Sequence, residues 1–222
     1  MRISSFNINK FCGPYSLKGQ YYNPKNVDFK TPIKEIVDDL LKNKDDIFFL
    51  QEFTDNRKIG VKELFSEEKF KIFNDDPLTK SNVVAITLEN SAWVKKEQAE
   101  GTEFTNKFLE MELNKHELSI VSFHNTDEKI KNKVQKIFDD TNNNIDVIIG
   151  DFNDIEWIRC LEEGNDYIDL VTNNMITFKP AQTAIDRIFV KNKEKFIDKI
   201  VFNGIVETFL SDHNLLTFSL NI

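Results

Sequence analysis

Asn7, Glu52, His124, Asp151, Asn153, Asp186, Asp212 and His213 are the residues of this sequence whose types could do chemistry together. They are carboxylates, carboxamides and imidazoles, groups that move protons or hold a hard divalent cation. Each falls at or just past the end of an apolar run that reads as a strand. Strand ends and the loops beyond them are where a rigid scaffold presents reactive groups. A single carboxylate after a strand is ordinarily a turn residue, and Asp-Phe-Asn-Asp at 151–154 also has the composition of a helix N-cap. The recurrence of one placement along the whole chain is the stronger signal.

The elements that must position these groups follow from periodicity. Residues 2–9 alternate and predict a strand ending in polar residues. Thr31-Pro32 opens a predicted helix whose apolar face is Ile33, Ile36, Val37, Leu40 and Leu41. Residues 46–51 (DIFFLQ) are a continuous apolar run, the pattern of a buried strand, with Glu52 at its end. A short helix is expected over 61–68, and strands over 70–73, 82–88, 107–113 and 118–123, the last delivering His124. Residues 127–140 read as an amphipathic helix, and 145–149 as a buried strand running into Gly150-Asp151-Phe152-Asn153. Apolar segments around Ile168 and Ile176, and over 185–190, 200–202 and 215–220, complete a strand-rich C-terminal half. Many strands with few helices predict two packed sheets flanked by helices.

Composition bounds the rest. At 222 residues and 40% hydrophobic, with 20 Phe and no linker or repeat, the chain fits one domain spanning 1–222. No apolar run has the length of a membrane span, and MRISSFNINK lacks the features of a signal peptide. Cys12 and Cys160 form no disulfide framework and read as reduced structural residues, which fits a cytoplasmic protein. The formal charge of -8 argues against coating nucleic acid by bulk attraction, yet leaves room for a local grip on phosphate through a cation. Phe-rich strands read as core, His116 as a solvated turn residue, and Trp157 as close enough to the 150–153 loop to line a cleft.

FNIN at 6–9, LQE at 50–52, SFHN at 122–125, GDFN at 150–153, IDRIFV at 185–190 and SDH at 211–213 occur in this order. The series resembles the motifs of the endonuclease/exonuclease/phosphatase superfamily, which includes deoxyribonuclease I, exonuclease III, apurinic endonucleases, phosphoinositide phosphatases and sphingomyelinases. The likeness runs from residue 3 to 220, and GDFN, IDR and SDH are its most specific parts. It implies an α+β fold, a four-layer αββα sandwich of two mostly antiparallel sheets flanked by helices, with the site at one edge. It implies hydrolysis of phosphate esters with Mg²⁺, or alternatively Mn²⁺, neutralising the charge that develops on the phosphoryl group. Mg²⁺ keeps several waters, so few carboxylates suffice. By resemblance these are Glu52, with Asn7 beside it and Asp212 assisting. Asp151 is expected to orient or deprotonate the attacking water, and Asn153 to hold it or a phosphate oxygen. His213 would act as base or donate to the phosphoryl group, with Asp186 fixing its tautomer. His124 matches a second histidine of the deoxyribonuclease I and sphingomyelinase branches, where it would stabilise phosphoryl oxygens or protonate the leaving oxygen. The apurinic branch tends to lack it, which points away from a dedicated abasic-site enzyme. With every such position filled, a degenerate binding module is disfavoured.

Substrate is less legible. Residues 10–30 carry Lys10, Lys18, Lys25 and Lys30 against Asp28, interleaved with Phe11, Tyr15, Tyr21 and Tyr22. The segment is either an ordinary Lys-rich loop or one that stacks bases and holds phosphates. Lys18, Tyr21, Tyr22 and Arg187 are the substrate-binding candidates, with Lys191, Lys193 and Lys195 read as a solvated turn. The leading expectation is a nuclease, DNA favoured over RNA. The alternative is a phosphatase or phosphodiesterase on a nucleotide, inositol phosphate or other small phosphate ester. No membrane and no partner protein is implied. On an oligonucleotide, Tyr21→Ala or Tyr22→Ala should raise KM by the loss of a stacking contact of ~1–3 kcal/mol. Neutralising Lys18 and Lys25 should flatten the salt dependence of binding, because fewer counterions are released. Curves of KM against salt that coincide with wild type would take the loop out of the substrate path.

Overall fold

Strands form where β-branched, aliphatic and aromatic residues run on with few polar interruptions. The computed structural model describes residues 1–9, 38, 45–53, 69–74, 82–96, 106–162, 166–192, 199–207 and 211–221. Within these, β1 (Arg2–Asn7), β2 (Ile47–Phe53), β3 (Phe70–Phe73) and β4 (Asn82–Leu88) are followed by β5 (Val94–Lys95), β6 (Phe108–Leu113) and β7 (Leu118–His124). Then come α1 (Glu128–Asp139), β8 (Val147–Asp151), α2 (Ile155–Glu162), β9 (Tyr167–Asp169), β10 (Asp186–Lys191), β11 (Ile200–Val206) and β12 (Leu215–Leu220).

They build two six-stranded sheets, in the orders β11-β12-β1-β2-β4-β3 and β5-β6-β7-β8-β10-β9. Each sheet has one parallel pair at its centre, β1 with β2 and β7 with β8, and antiparallel neighbours elsewhere. The register sets Asn7 opposite Gln51 and His124 opposite Asp151. Ile3, Phe49 and Ala85 of the first sheet pack against Leu109, Ile120, Val147, Ile149 and Ile188 of the second. The other face of the second sheet, including Val121, Phe123, Ile148 and Phe189, is covered by Ile130, Val134 and Phe138 of α1 and by Trp157, Ile158 and Leu161 of α2. Asp127 caps α1, its side chain accepting from the N–H groups of Lys129 and Ile130.

This is the expected sandwich of two mostly antiparallel sheets with helices outside. The differences are local. α2 and the two-residue β5 differ from the expected elements, although Trp157, Ile158 and Leu161 of α2 recur at helical spacing. No strand forms at Ile176; that stretch is a turn in which Phe178 makes isolated bridges to Thr183 and His213. Trp157 is buried against Phe123 and Phe152 and lines no cleft. Lys191 is buried rather than solvated, donating to the carbonyls of Thr141 and Asn143. Cys160 is an exposed free thiol on α2, not a structural one. His116 lies in the short 3-10 turn joining β6 to β7, partly exposed. The helices expected over 31–41 and 61–68, the 10–30 loop, Cys12, Lys193 and Lys195 fall outside the described residues, apart from Asp38, which is helical. Among the described residues no helix is long and apolar enough to cross a membrane.

One glycine is required by this packing. Gly150 has φ +149, and a Cβ there would lie 2.0 Å from the carbonyl oxygen of Phe123 on the neighbouring strand. Gly150→Ala should therefore destabilise the fold by roughly 2 kcal/mol or more. The check is the shift in chemical-denaturation midpoint, and an unchanged midpoint would contradict the close approach.

Candidate active site

The C-terminal ends of β1, β2, β7 and β8 and the turns entering β10 and β12 meet at one edge of the sandwich. Asn7 closes β1, and its Nδ2 donates to Asp151 Oδ2 at 2.9 Å and to Glu52 Oε1 at 3.3 Å. Its Oδ1 accepts from the Asn9 N–H at 2.9 Å. Asn7 thus turns N–H groups, not the oxygen expected of a metal ligand, toward the carboxylates.

Glu52 stands on a bulge. Between Leu50 and Phe53 the register of β2 against β4 shifts, and Glu52 has φ 56. Left-handed backbone is uncommon for a residue with a Cβ and recurs where strain serves a site. The bulge lets consecutive side chains serve different ends. Gln51 is fully buried, whereas Glu52 Oε1 comes within 3.7 Å of His124 Nε2. Asp151 lies 3.8 Å from the same His124 nitrogen. Its Oδ1 accepts the Asn153 N–H at 2.9 Å, a short turn in which Asn153 has φ 53. Asn153 Nδ2 donates to the Asn125 carbonyl. The N-cap reading of the same motif also holds one residue on, because Asp154 Oδ1 accepts from the Trp157 N–H that starts α2.

His213 Nδ1 meets Asp186 Oδ2 at 2.8 Å. With Nδ1 as the donor, Nε2 is left facing Asp151 Oδ2 and Asp212 Oδ1, each at 3.9 Å. Four residues that the sequence did not single out hold this pair. Thr177 Oγ1 accepts from the N–H groups of Ile185 and Asp186 at 3.0 and 2.9 Å. Phe178 packs on the His213 ring with centroids 4.8 Å apart. Ser211 Oγ donates to the Asn7 carbonyl at 2.7 Å, tying the turn before β12 to the end of β1. Lys179 Nζ donates to the Ser211 carbonyl at 2.6 Å. Ser211, inside the SDH motif, was the one with a signal to read.

The electrostatics are one-sided. Burial, and then the Asp186 charge, push the Asp151 carboxyl up to about 8. Burial also raises the Asp212 carboxyl. Burial alone would lower the His213 imidazolium, but Asp186, with Asp151 and Asp212, outweighs it and raises it to about 9. Burial lowers His124 to about 4 against the pull of Glu52, so near neutral pH it is an uncharged donor or acceptor. The Asp151–His213 cluster therefore favours protonated forms, Asp151 chiefly through burial and His213 through the carboxylates around it. A hard divalent cation fits the same cluster. Asp151, Asp186 and His213 each offer a ligand atom within 4.8 Å of the others, and Glu52 and Asp212 border them.

Arg187 is not among these groups. Adjacent residues on a strand face opposite ways, so Asp186 facing His213 sends Arg187 to the other side of its sheet. There it is 1% exposed, its nitrogens donating to Ala184 O, Asp169, Val171 O and Asn173. This corrects its assignment as a phosphate contact. Lys18, Tyr21 and Tyr22 lie outside the described residues.

No protein-family model matches the sequence, and no curated protein does either. Solved structures do match in fold. D. rerio TDP2 complexed with a single-strand DNA product is 12% identical with TM-score 0.68, covering 100% of this chain and 99% of that one. An AP endonuclease from Archaeoglobus fulgidus is 14% identical with TM-score 0.66, covering 100% of both chains. A 3'-5' exonuclease from Neisseria meningitidis is 14% identical with TM-score 0.62, again covering 100% of both. At these identities the likeness establishes a shared fold across the whole chain.

The Asp186–His213 contact makes a prediction that needs no substrate. In a double-mutant cycle of Asp186→Asn and His213→Ala, the unfolding free energies should be non-additive by at least about 1 kcal/mol. Additive losses would mean the two side chains do not act as a unit.

Proposed function

We propose that residues 1–222 form one catalytic domain that hydrolyses phosphate esters with a divalent cation, Mg²⁺ or Mn²⁺, and that the substrate is a nucleic acid, DNA favoured. The observation that carries this reading is the convergence of Glu52, Asp151, Asp186 and Asp212 with two histidines at one sheet edge, a set of oxygen and nitrogen donors suited to a divalent cation. The likeness in fold to a TDP2 complexed with DNA, an AP endonuclease and a 3'-5' exonuclease supports the nucleic-acid substrate.

Glu52, with Asp212 across from it, would hold the cation, and Asn7, its amide N–H groups turned to Glu52 and Asp151, would position those carboxylates. When bound, the cation neutralises charge on the phosphoryl oxygens. Asp151, fixed by Asn7 and by the Asn153 N–H, would orient the attacking water and, in its ionised form, take its proton. Asn153 holds that water or a phosphoryl oxygen. His213 is held as an imidazolium against Asp186 and donates from Nε2 to a phosphoryl oxygen. His124, kept neutral by burial, is suited to donate a hydrogen bond to the phosphoryl group rather than to protonate the leaving oxygen.

A second reading, a phosphatase or phosphodiesterase acting on a small phosphate ester, is favoured by two observations. The net charge is -8, and Arg187 is withdrawn into the protein. A Mg²⁺-dependent panel of plasmid, single-stranded and abasic DNA, RNA, nucleotides and inositol phosphates separates the two. Cleavage of DNA, abolished by EDTA, is the expected result. Turnover of small esters alone would transfer the function to the second reading. Glu52→Gln should lower turnover by about 100-fold or more while the protein stays folded. A variant within a few-fold of wild type at saturating Mg²⁺ would remove Glu52 as the main ligand.

A further inference from the structure

We propose that Gln51 is a positioning residue, whose buried side chain holds the half of the site carried by the first sheet in register with the half carried by the second. Gln51 is 0% exposed, and its Nε2 donates to Ser5 Oγ at 3.1 Å and to Ser122 Oγ at 3.0 Å. Ser5 and Ser122 are buried as well. Ser5 precedes Asn7 by two on β1, and Ser122 precedes His124 by two on β7. Side chains two apart share a strand face. The bridge therefore runs between the sheets one layer beneath Asn7 and His124.

The site depends on that alignment. Its two shortest side-chain contacts, Asn7 with Asp151 at 2.9 Å and His213 with Asp186 at 2.8 Å, both span the sheets. Most of what lies beneath is apolar packing, including Ile3, Phe49, Ile120 and Ile149. Burial of apolar area is non-directional and tolerates a small slide of one sheet over the other. A hydrogen bond is directional and weakens steeply as it bends or lengthens. A carboxamide reaching two hydroxyls on different sheets pins their relative position where packing alone would not. The bulge at Glu52 frees Gln51 for this inward role while its neighbour serves the site.

Two variants separate positioning from stability. Gln51→Leu leaves both hydroxyls without their partner and should lower the thermal midpoint. The triple variant Ser5→Ala/Gln51→Leu/Ser122→Ala leaves no buried polar group unpaired and should recover that midpoint. In both variants kcat is expected to fall about 10- to 100-fold at nearly constant KM, because reacting groups are misplaced rather than lost. Assays run well below each midpoint, so that only folded protein is read. Recovery of kcat together with stability in the triple variant would overturn the proposal, as would an unchanged kcat in Gln51→Leu. The kinetic arm rests on the proposed hydrolysis. Crystal structures of wild type and triple variant do not, and they should show the Asn7–Asp151 and His213–Asp186 contacts lengthened. If wild type turns over no phosphate ester, the proposed function fails, and the crystallographic distances still decide the role of Gln51. Unchanged distances would sink it.

Discussion

The parallel pairing at the centre of each sheet governs where everything else can go. Two strands paired in parallel end side by side, so β1 with β2 brings Asn7 beside Gln51, and β7 with β8 brings His124 beside Asp151. The next strand outward from each pair is antiparallel and therefore starts at that same edge. β12 brings Asp212 and His213 there, and β10 brings Asp186. The two sheets repeat one pairing pattern, so the edge collects equivalent positions from both. Among the described residues, strand ends and the turns beside them gather these groups without a helix end.

Gathering them has a cost. Four carboxylates close together, three of them buried, oppose one another and oppose folding. The structure answers with N–H donors: Asn7 on Asp151, the Asn153 N–H on Asp151 and His213 on Asp186. Backbone strain adds to the cost, because Glu52 and Asn153 both occupy left-handed φ. The well-packed sheets beneath hold these conformations in place.

Much of this was legible in the sequence, and the reason is geometric. A strand that ends in a polar residue shows an apolar run followed by a polar one, and Asn7, Glu52, His124 and Asp151 have that form, whereas Asp186 opens β10 and Asp212 and His213 precede β12, at strand starts rather than the strand ends expected. The structure brings them together. Arg187 was misread because it follows Asp186 in sequence, and the pleat sends neighbours to opposite faces. Trp157 was misread because an eight-residue helix with a capping Asp154 looks like more loop. Gln51 was invisible as anything but core, since its partners, Ser5 and Ser122, come from distant parts of the chain and only the register of the two sheets unites them. Thr177, Phe178 and Lys179 were hidden in a turn that has no period to read.

The first sheet interleaves early and late sequence: β1 sits between β2, whose residues are 47–53, and β12, whose residues are 215–220. During vectorial synthesis β1 leaves the ribosome long before its antiparallel neighbour exists. Asp212 and His213 arrive with that neighbour. Until then β1 keeps an open edge, and pairing across so many residues is slow to form. A nascent chain, or one truncated before residue 211, would hold Asn7, Glu52, His124 and Asp151 without the imidazole of His213. Until β12 pairs with β1, the edge therefore lacks the side chains that enter it with β12.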